Sequence, residues 1–249
     1  MRVVKALQFH RITPKFQFCG TWNRPEQFES FLKFLRSCGI AAVLPGEEKE
    51  GVVITFDDGE KSVYEYAFPI LRKYNMKAVV FLIAGYVGKT NIWDLSLNGE
   101  RTAHLSWNEI IEMRNYGIEF GSHTMTHRNL TRLSLPDLEY ELFESKKILD
   151  EKIGGCDCVS YPFNRLNEQV IRVAGEAGYK FGFGGDGGNA LALKKEAIYI
   201  TDTVGTLRIK IFERPILQYG YERLKQKVIN YFTIATMLSQ KKVYAKNRS

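Results

Sequence analysis

Residues 52–59 read Val-Val-Ile-Thr-Phe-Asp-Asp-Gly, a β-branched and apolar run that ends in two carboxylates and a glycine. A run without polar alternation is typical of a strand buried on both faces, as in parallel sheets covered by helices. In parallel α/β folds the functional groups lie at the carboxyl ends of the strands. The segment therefore predicts a buried parallel strand with Asp57 and Asp58 at its functional end.

Short apolar runs alternate with helical patterns on both sides of this segment. Predicted strands cover residues 3–9, 40–44, 78–83, 118–120, 159–161 and 179–183. Predicted helices cover residues 25–38, 62–74, 134–153 and 168–177, and a further helix begins at a capping box formed by Ser106 and Glu109. This alternation indicates parallel βα units, arranged either as a barrel or as an open sheet.

The composition is that of an ordinary globular protein, with 45% hydrophobic and 25% charged residues among 249. A single α/β barrel falls within this length. The formal net charge of +7 is concentrated near the C-terminus, because residues 222–249 contain seven basic residues and one acid and leave about +1 for the rest. The body of the chain therefore gives little support for a nucleic-acid partner.

The sequence carries no recognisable sorting or membrane-spanning segment. The first 15 residues lack a long apolar stretch and a small-residue cleavage site, and no run of about 18 apolar residues occurs. The four cysteines have no zinc-knuckle spacing and suit reduced thiols. The residues alone predict a cytoplasmic or membrane-peripheral protein, although a chain without its native leader would look the same.

The basic C-terminal segment has an amphipathic pattern of its own. Between residues 221 and 238, apolar side chains recur at helical spacing: Leu224, Val228, Ile229, Phe232, Ala235 and Leu238. We therefore expect a basic helical tail at 222–249 after a single domain at 1–221. Most such helices pack on their own domain, and the alternative is peripheral contact with an anionic membrane.

Asp57 and Asp58 are two adjacent carboxylates at the end of a buried strand. Such a pair is costly unless a positive charge compensates it, and a metal ion would do so. The alternative is that one aspartate caps the following helix. A helix cap explains one of the two acids but not both.

His123 and His127 are four positions apart, with three residues between them, and follow the predicted strand at 118–120. If the segment begins a helical turn, both imidazoles point the same way and can hold one metal ion. The alternative for two of the four histidines is coincidence. Two histidines and one carboxylate with an open position are typical of a catalytic metal site.

Three segments together resemble the polysaccharide deacetylase family (carbohydrate esterase family 4, the NodB-homology domain). They are Thr-Phe-Asp-Asp-Gly at 55–59, Ser-His-x3-His at 122–127 and Tyr-Pro-Phe at 161–163, and the likeness covers residues 10–182. The resemblance implies a distorted (β/α)7 barrel that forms the catalytic domain at 1–221. It also implies a divalent metal, often zinc, with cobalt, nickel or manganese as alternatives, and a site of action outside the cytoplasm.

The resemblance also implies roles for individual residues. Asp57 would be the general base, and the metal ligands would be Asp58, His123 and His127. The N–H of Phe163 would stabilise the oxyanion. Substrate contacts are expected from Tyr161, Pro162, Asn164 and Trp93. Asn164 stands where the family has glycine, and asparagine tolerates a left-handed conformation. For Trp93 and Tyr161 the alternative to stacking on a sugar ring is packing in the core.

Two departures point to a permuted branch of the family, the one that deacetylates poly-N-acetylglucosamine. The arginine that orients the base in the family is Ser160 here, and Arg165 would have to reach back to replace it. The family has a histidine late in the sequence that protonates the leaving amine. This residue is absent here, because no histidine follows His127. In a closed barrel the first and last strands are neighbours, so His10 at the end of the first strand is the candidate general acid. The alternative is that His10 is a hydrogen-bonding residue at a strand end.

The function expected from this reading is metal-dependent removal of N-acetyl groups from N-acetylhexosamine units of a glycan. Two alternatives remain. One is an O-acetyl esterase with the same site, and the other is a catalytically inactive sugar-binding relative. Intact Asp57, Asp58, His123 and His127 argue against the inactive form, since a binding module needs no metal group.

Overall fold

The structure is a computed structural model that describes residues 5–17, 21–90 and 103–212. Trp93 and the basic tail at 222–249 lie outside the described residues. Sugar stacking by Trp93 and membrane contact by the tail therefore stay predictions. None of the helices in the described part of the chain is both long and apolar enough to cross a bilayer.

Strands in the described ranges are short and all pair in parallel. They are β1 (Lys5–Phe9), β2 (Arg11–Ile12), β3 (Trp22–Asn23), β4 (Ala41–Ala42), β5 (Gly51–Phe56), β6 (Val79–Leu82), β7 (Glu119–Ser122), β8 (Cys158–Ser160), β9 (Phe181–Phe183) and β10 (Lys195–Ala197). The main sheet has the order β10-β1-β5-β6-β7-β8-β9, and β4 pairs with β5 beside this path. β2 and β3 form a separate two-stranded sheet.

The two ends of the main sheet approach each other and nearly close it. Phe183 of β9 forms a parallel bridge with Leu193, two residues before β10. The N–H of Leu193 donates to Gly182 O at 2.7 Å, and the N–H of Gly184 donates to Leu193 O at 2.8 Å. A side chain at Gly182 would meet the backbone of Leu191 at 2.4 Å, so this approach requires glycine. The predicted distorted (β/α)7 barrel in one domain is confirmed.

Helices surround the strands at most of the predicted places. They are α1 (Pro25–Ser37), α2 (Phe68–Tyr74), α3 (Trp107–Asn115), α4 (Leu135–Glu139), α5 (Ser145–Ile153), α6 (Glu168–Glu176) and α7 (Val204–Phe212). The capping box at the start of α3 is confirmed, because Ser106 and Glu109 each accept the other's backbone N–H. β10 and α7 were not predicted, and the strand expected at 40–44 is reduced to two residues.

Two of the predicted helices contain a π-helical turn. Val63–Ala67 precedes α2, and Tyr140–Glu144 separates α4 from α5. Such turns are rare and occur frequently at functional sites. The first begins four residues after Gly59, and the second carries a buried glutamate toward the histidine loop.

Both faces of the strands are buried, as the run at 52–59 predicted. Val52 and Ile54 belong to the large core between the strands and the helices. The opposite face forms a smaller cluster inside the barrel, containing Ala6, Val43, Val53, Val79, Phe81, Cys158 and Phe183. Side chains alternate along a strand, so the inner face continues from Ala6 to Gln8 and from Cys158 to Ser160. Polar side chains therefore reach the barrel interior near the carboxyl ends of the strands.

Candidate active site

The predicted site residues lie at the carboxyl ends of adjacent strands. The N–H of Asp57 donates to Phe9 O at 3.0 Å, which aligns the ends of β1 and β5. The N–H of His123 donates to Leu82 O at 2.7 Å, which aligns the ends of β6 and β7. The barrel thus brings the aspartate pair and the histidine pair to one edge, although 65 residues separate Asp58 from His123.

Asp58, His123 and His127 form a group that could hold a metal ion, with ligand atoms within 4.8 Å of one another. Asp58 Oδ1 lies 3.4 Å from His123 Nε2 and 3.5 Å from His127 Nε2. Two ligand atoms bonded to one tetrahedral zinc ion, each about 2.1 Å from it, are about 3.4 Å apart. The separations therefore fit a divalent ion, and three protein ligands leave a coordination position open.

The protonation of the two imidazoles also suits metal binding. His123 Nδ1 lies 2.6 Å from Ser160 O, so we assign the proton to Nδ1, which donates to this carbonyl and leaves the lone pair of Nε2 toward Asp58. Burial lowers the pKa of His123 to about 4, against the opposing effect of Asp57. Burial, followed by the charge of His123, lowers the pKa of His127 well below its ordinary value. Both rings are therefore neutral at pH 7, as metal ligands must be.

The segment that carries the two histidines is a loop and not the helical turn on which their common direction was predicted. Thr124 and His127 have φ values of 68° and 60°, in the left-handed region. The N–H of His127 donates to Thr124 Oγ1 at 3.1 Å, and the N–H of Thr124 donates to Ser122 Oγ at 3.0 Å. This folding of the loop, and not helical periodicity, brings the two rings to a centroid separation of 4.8 Å.

Glu141, in the π-helical turn, holds this strained loop. Its side chain is fully buried and accepts the N–H of Thr126 at 2.8 Å and the Thr126 hydroxyl. Its backbone carbonyl accepts the N–H of Met125 at 3.2 Å. Left-handed non-glycine residues persist only where the surroundings enforce them. Glu141 therefore fixes the loop that presents both imidazoles.

Replacing Glu141 by leucine is expected to lower the affinity for zinc by about 10- to 100-fold, the usual effect of losing an outer support of a metal ligand. Leucine leaves the N–H of Thr126 without its acceptor, whereas glutamine can keep both contacts. Competition against a chelator measures the affinity. Glu141→Gln and exposed Glu139→Leu are the controls, and unchanged affinity in Glu141→Leu would show that the loop keeps its shape alone.

Asp57 is a buried carboxylate with donors on both oxygens. Oδ2 accepts from Gln8 Nε2 at 2.7 Å and from Lys195 Nζ at 2.6 Å. Oδ1 accepts from Ser160 Oγ at 3.2 Å, and Lys195 Nζ also donates to Ser160 Oγ at 2.6 Å. The carboxylate is therefore held in one orientation, with Oδ2 4.0 Å from His123 Nε2.

The charges around Asp57 keep it ionised. Burial is the largest single effect and raises the pKa of this carboxyl, but the charge of Lys195, the interactions with His123 and His10 and the hydrogen bond from Lys195 together outweigh it. The net pKa of Asp57 lies below its ordinary range. A carboxylate that stays ionised beside the Asp58-His123-His127 group is available as a proton acceptor.

Lys195 and Gln8 were missed in the sequence. Lys195 lies within Lys194-Lys195-Glu196, which has the character of an exposed charged run, and it occupies a buried position of β10. Gln8 had a weak signal, since it lies two residues before His10 and alternate residues of an extended chain face the same side. Arg165, the residue considered for reaching back to the base, is exposed, and Lys195 takes the place beside Asp57.

Two further histidines lie near the Asp58-His123-His127 group. His10 directly follows β1 and is partly buried. The negative charges of Asp57 and Glu60 are close enough to affect its pKa. Burial lowers the pKa of His10, and Asp57 opposes that shift. His104 carries no motif in the sequence, yet it is buried and its Nδ1 lies 2.9 Å from Asp58 O. His104 therefore supports the backbone of a predicted metal ligand.

Phe163 and Asn164 form a turn beside the histidines. Their φ values are 62° and 52°, so two successive non-glycine residues are left-handed. The N–H of Asn164 donates to Tyr161 O at 3.1 Å, which closes the turn. Within the described residues the N–H of Phe163 has no hydrogen-bond acceptor. The Phe163 ring lies 4.8 Å from that of His127, and Asn164 Nδ2 donates to Gln8 Oε1 at 3.2 Å.

Tyr161 and Pro162 are both buried, and the prediction that they contact substrate stays a prediction. Tyr161 is fully buried and its hydroxyl donates to Leu191 O at 2.8 Å. It continues the outward face of β8 after Val159, and both belong to the core between strands and helices. Pro162 is also buried. Their backbone carbonyls accept the N–H groups of Asn164 and Arg165 in the turn at Phe163, and the burial of Tyr161 favours the core-packing alternative.

The fold and the site together define the class, a parallel α/β barrel with an Asp-His-His group at the carboxyl ends of its strands. The sequence profile described as polysaccharide deacetylase matches residues 45–182, more than half of the chain. The chain therefore belongs to the polysaccharide deacetylase family, and the resemblance is confirmed.

Individual relatives agree with this assignment. YxkH of Bacillus subtilis (strain 168) is 31% identical over 169 residues, 63% of this chain and 56% of YxkH. The poly-beta-1,6-N-acetyl-D-glucosamine N-deacetylase of Staphylococcus aureus (strain MRSA252) is 31% identical over 177 residues, 63% of this chain and 59% of that protein. The crystal structure of BC0361, a polysaccharide deacetylase from Bacillus cereus, has a TM-score of 0.72 at 25% identity, over 84% of this chain and 69% of that one. The chain thus spans less than two thirds of either curated relative.

Proposed function

We propose that this protein is a metal-dependent deacetylase that removes N-acetyl groups from N-acetylhexosamine units of a glycan. The observation that carries the proposal is the carboxylate of Asp57, which is held by hydrogen bonds on both oxygens directly beside the Asp58-His123-His127 group. Membership of the polysaccharide deacetylase family supports the reaction class. The Staphylococcus aureus relative, named for poly-beta-1,6-N-acetyl-D-glucosamine, supports the substrate class.

Asp58, His123 and His127 would hold the divalent ion, and two imidazoles with one carboxylate favour zinc, with cobalt, nickel or manganese as alternatives. An ion bound there would lower the pKa of a water molecule and polarise the acetyl carbonyl. Asp57 would accept a proton from the water that attacks the carbonyl carbon. Lys195 and Gln8 both donate hydrogen bonds to Oδ2 of Asp57 and so restrict the rotation of the carboxylate.

The remaining steps use Phe163 and His10. The N–H of Phe163 donates a hydrogen bond to the oxygen that becomes negative as water adds to the carbonyl. His10 gives a proton to the amide nitrogen as the C–N bond breaks, so that the products are acetate and a free amine. Asp57 favours the protonated form of His10, against the burial that lowers its pKa.

Replacing His10 by alanine is expected to lower kcat by about 10²- to 10⁴-fold, the usual contribution of a positioned acid. KM and bound metal should change little, because His10 is outside the ligand group. Steady-state acetate release, with metal content measured on the same sample, checks this. An unchanged kcat would exclude His10 as the acid and leave it a hydrogen-bonding residue at the end of β1.

Acetate release from a matched panel tests the substrate class. The panel contains poly-β-1,6-N-acetylglucosamine, chitin oligosaccharides and an O-acetylated glycan. The proposal predicts release from the N-acetylated glycans and a loss of release in Asp57→Asn. Release from the O-acetylated glycan alone would favour an esterase, and glycan binding without any release would favour an inactive sugar-binding protein.

A further inference from the structure

Lys195 is a buried cation whose ammonium group contacts both Asp57 and Ser160. Nζ lies 2.6 Å from Asp57 Oδ2 and 2.6 Å from Ser160 Oγ, and no part of the side chain is exposed. We propose that Lys195 is a positioning residue that locks the carboxylate of Asp57 in the orientation needed for proton transfer. The inference rests on the proposed function, because it assigns Asp57 as the base.

The contacts of Lys195 leave its ammonium group little freedom. A charge taken out of water must be paired and hydrogen-bonded, and an ammonium has three N–H groups to satisfy. Asp57 and Ser160 take two of them. The group also lies 5.8 Å from the centroid of the Phe81 ring, within cation–π range. Lys195 is therefore a fixed donor and not a mobile counter-charge.

Lys195 constrains both oxygens of the Asp57 carboxylate. It binds Oδ2 directly and reaches Oδ1 through the Ser160 hydroxyl, which is 3.2 Å from Oδ1. With both oxygens held, the carboxylate cannot rotate about its own axis without breaking at least one of these bonds. A misplacement of about 1 Å at a reacting group can cost about 10²-fold in rate. Loss of Lys195 should therefore reduce turnover more than substrate binding.

The closure of the barrel places Lys195 in this position. β10 pairs with β1 in a register that sets Lys195 opposite Ala6, and Ala6 faces the barrel interior. Ala6 in turn lies opposite Val53 of β5, the strand that Asp57 directly follows. The last strand of the barrel thus delivers a cation to the base, although Lys195 and Asp57 are 138 residues apart in sequence.

Lys210 provides a matched control within the same chain. It is also a buried lysine, and its Nζ lies 2.5 Å from Asp202 Oδ2, 2.7 Å from Ala197 O and 5.2 Å from the Tyr199 ring centroid. None of these partners belongs to the group around Asp57. Lys210→Met therefore removes a buried charge of the same kind without removing a contact to the base.

The experiment compares wild type, Lys195→Met and Lys210→Met for kcat, KM, bound zinc and thermal stability. We expect Lys195→Met to lose about 100-fold in kcat, with KM and zinc content close to wild type. Lys210→Met should lose stability but keep its kcat per folded, zinc-loaded molecule. Lys195→Ala should regain part of the lost kcat when ethylammonium is added. An equimolar amount of ethanol should give no such gain.

The outcomes separate this inference from the proposed function. A wild-type protein that releases no acetate would overturn both. An active wild type with an equally active, zinc-loaded Lys195→Met would overturn the role of Lys195 alone. The same holds if the kcat of Lys195→Met falls only in proportion to lost zinc or lost folded protein, or if ethylammonium gives Lys195→Ala no gain over ethanol.

Discussion

Asp57→Asn is expected to lower kcat for acetate release by about 10²- to 10⁴-fold, because asparagine has the shape of aspartate but cannot take a proton from water. Bound metal should persist, since Asp57 is outside the Asp58-His123-His127 group. Steady-state kinetics with metal analysis on the same sample measures both. A kcat within about tenfold of wild type would contradict the assignment of Asp57 as base.

The same substitution should also destabilise the protein. Asp57 is the carboxylate partner of Lys195, and both side chains are buried, with at most 2% of their surface exposed. Removing one partner of a buried ion pair costs about 3–5 kcal/mol, because the other charge stays buried and uncompensated. Denaturant unfolding measures this loss.

The double variant Asp57→Asn/Lys195→Met serves as the control for the stability effect. It removes both charges, so it should recover much of the lost free energy of unfolding while remaining inactive. If the double variant is less stable than wild type by the sum of the two single losses, Asp57 and Lys195 do not interact energetically, contrary to what their 2.6 Å separation indicates.

His127→Ala is expected to weaken zinc binding by more than about 100-fold, beyond the usual effect of removing an outer support. The variant removes one of three ligands in a group whose atoms lie within 4.8 Å of one another. At limiting zinc, acetate release should fall to background. Zinc titration against a chelator gives the affinity directly.

His10→Ala is the matched control for this prediction, since it removes a neighbouring imidazole that is not a proposed ligand. It should bind one zinc with near wild-type affinity while losing activity. Tight binding of one zinc by His127→Ala would show that the ion is held elsewhere, and the mechanism proposed for Asp57 would then lose its metal.

The sequence predicts those parts of the site that depend on local patterns. The apolar run before Asp57 predicts β5 and the end at which the carboxylates lie, because burial on both faces leaves a direct compositional trace. Parity along a strand also predicts which side chains face inward. Applied to Val159 and Tyr161, parity alone would have placed Tyr161 in the outer core and not against a sugar.

The rest of the site depends on contacts between distant segments. Spacing suggested that His123 and His127 share a direction, but the direction comes from left-handed residues held by Glu141, and no local pattern encodes that restraint. The role of Lys195 is still harder to predict from the sequence, because β10 places charged residues at buried positions. Its partner is supplied only by closure of the barrel. Propensity and periodicity describe neighbours in sequence and cannot identify such a pair.

The most direct test of a metal-dependent deacetylase is acetate release from poly-β-1,6-N-acetylglucosamine while zinc is added to metal-free protein. The proposal predicts that the initial rate rises linearly with zinc and saturates at one equivalent per chain. Asp57→Asn should bind that equivalent and stay inactive. Equal acetate release by metal-free and zinc-loaded protein, or no release after one equivalent of zinc is bound, would contradict the account.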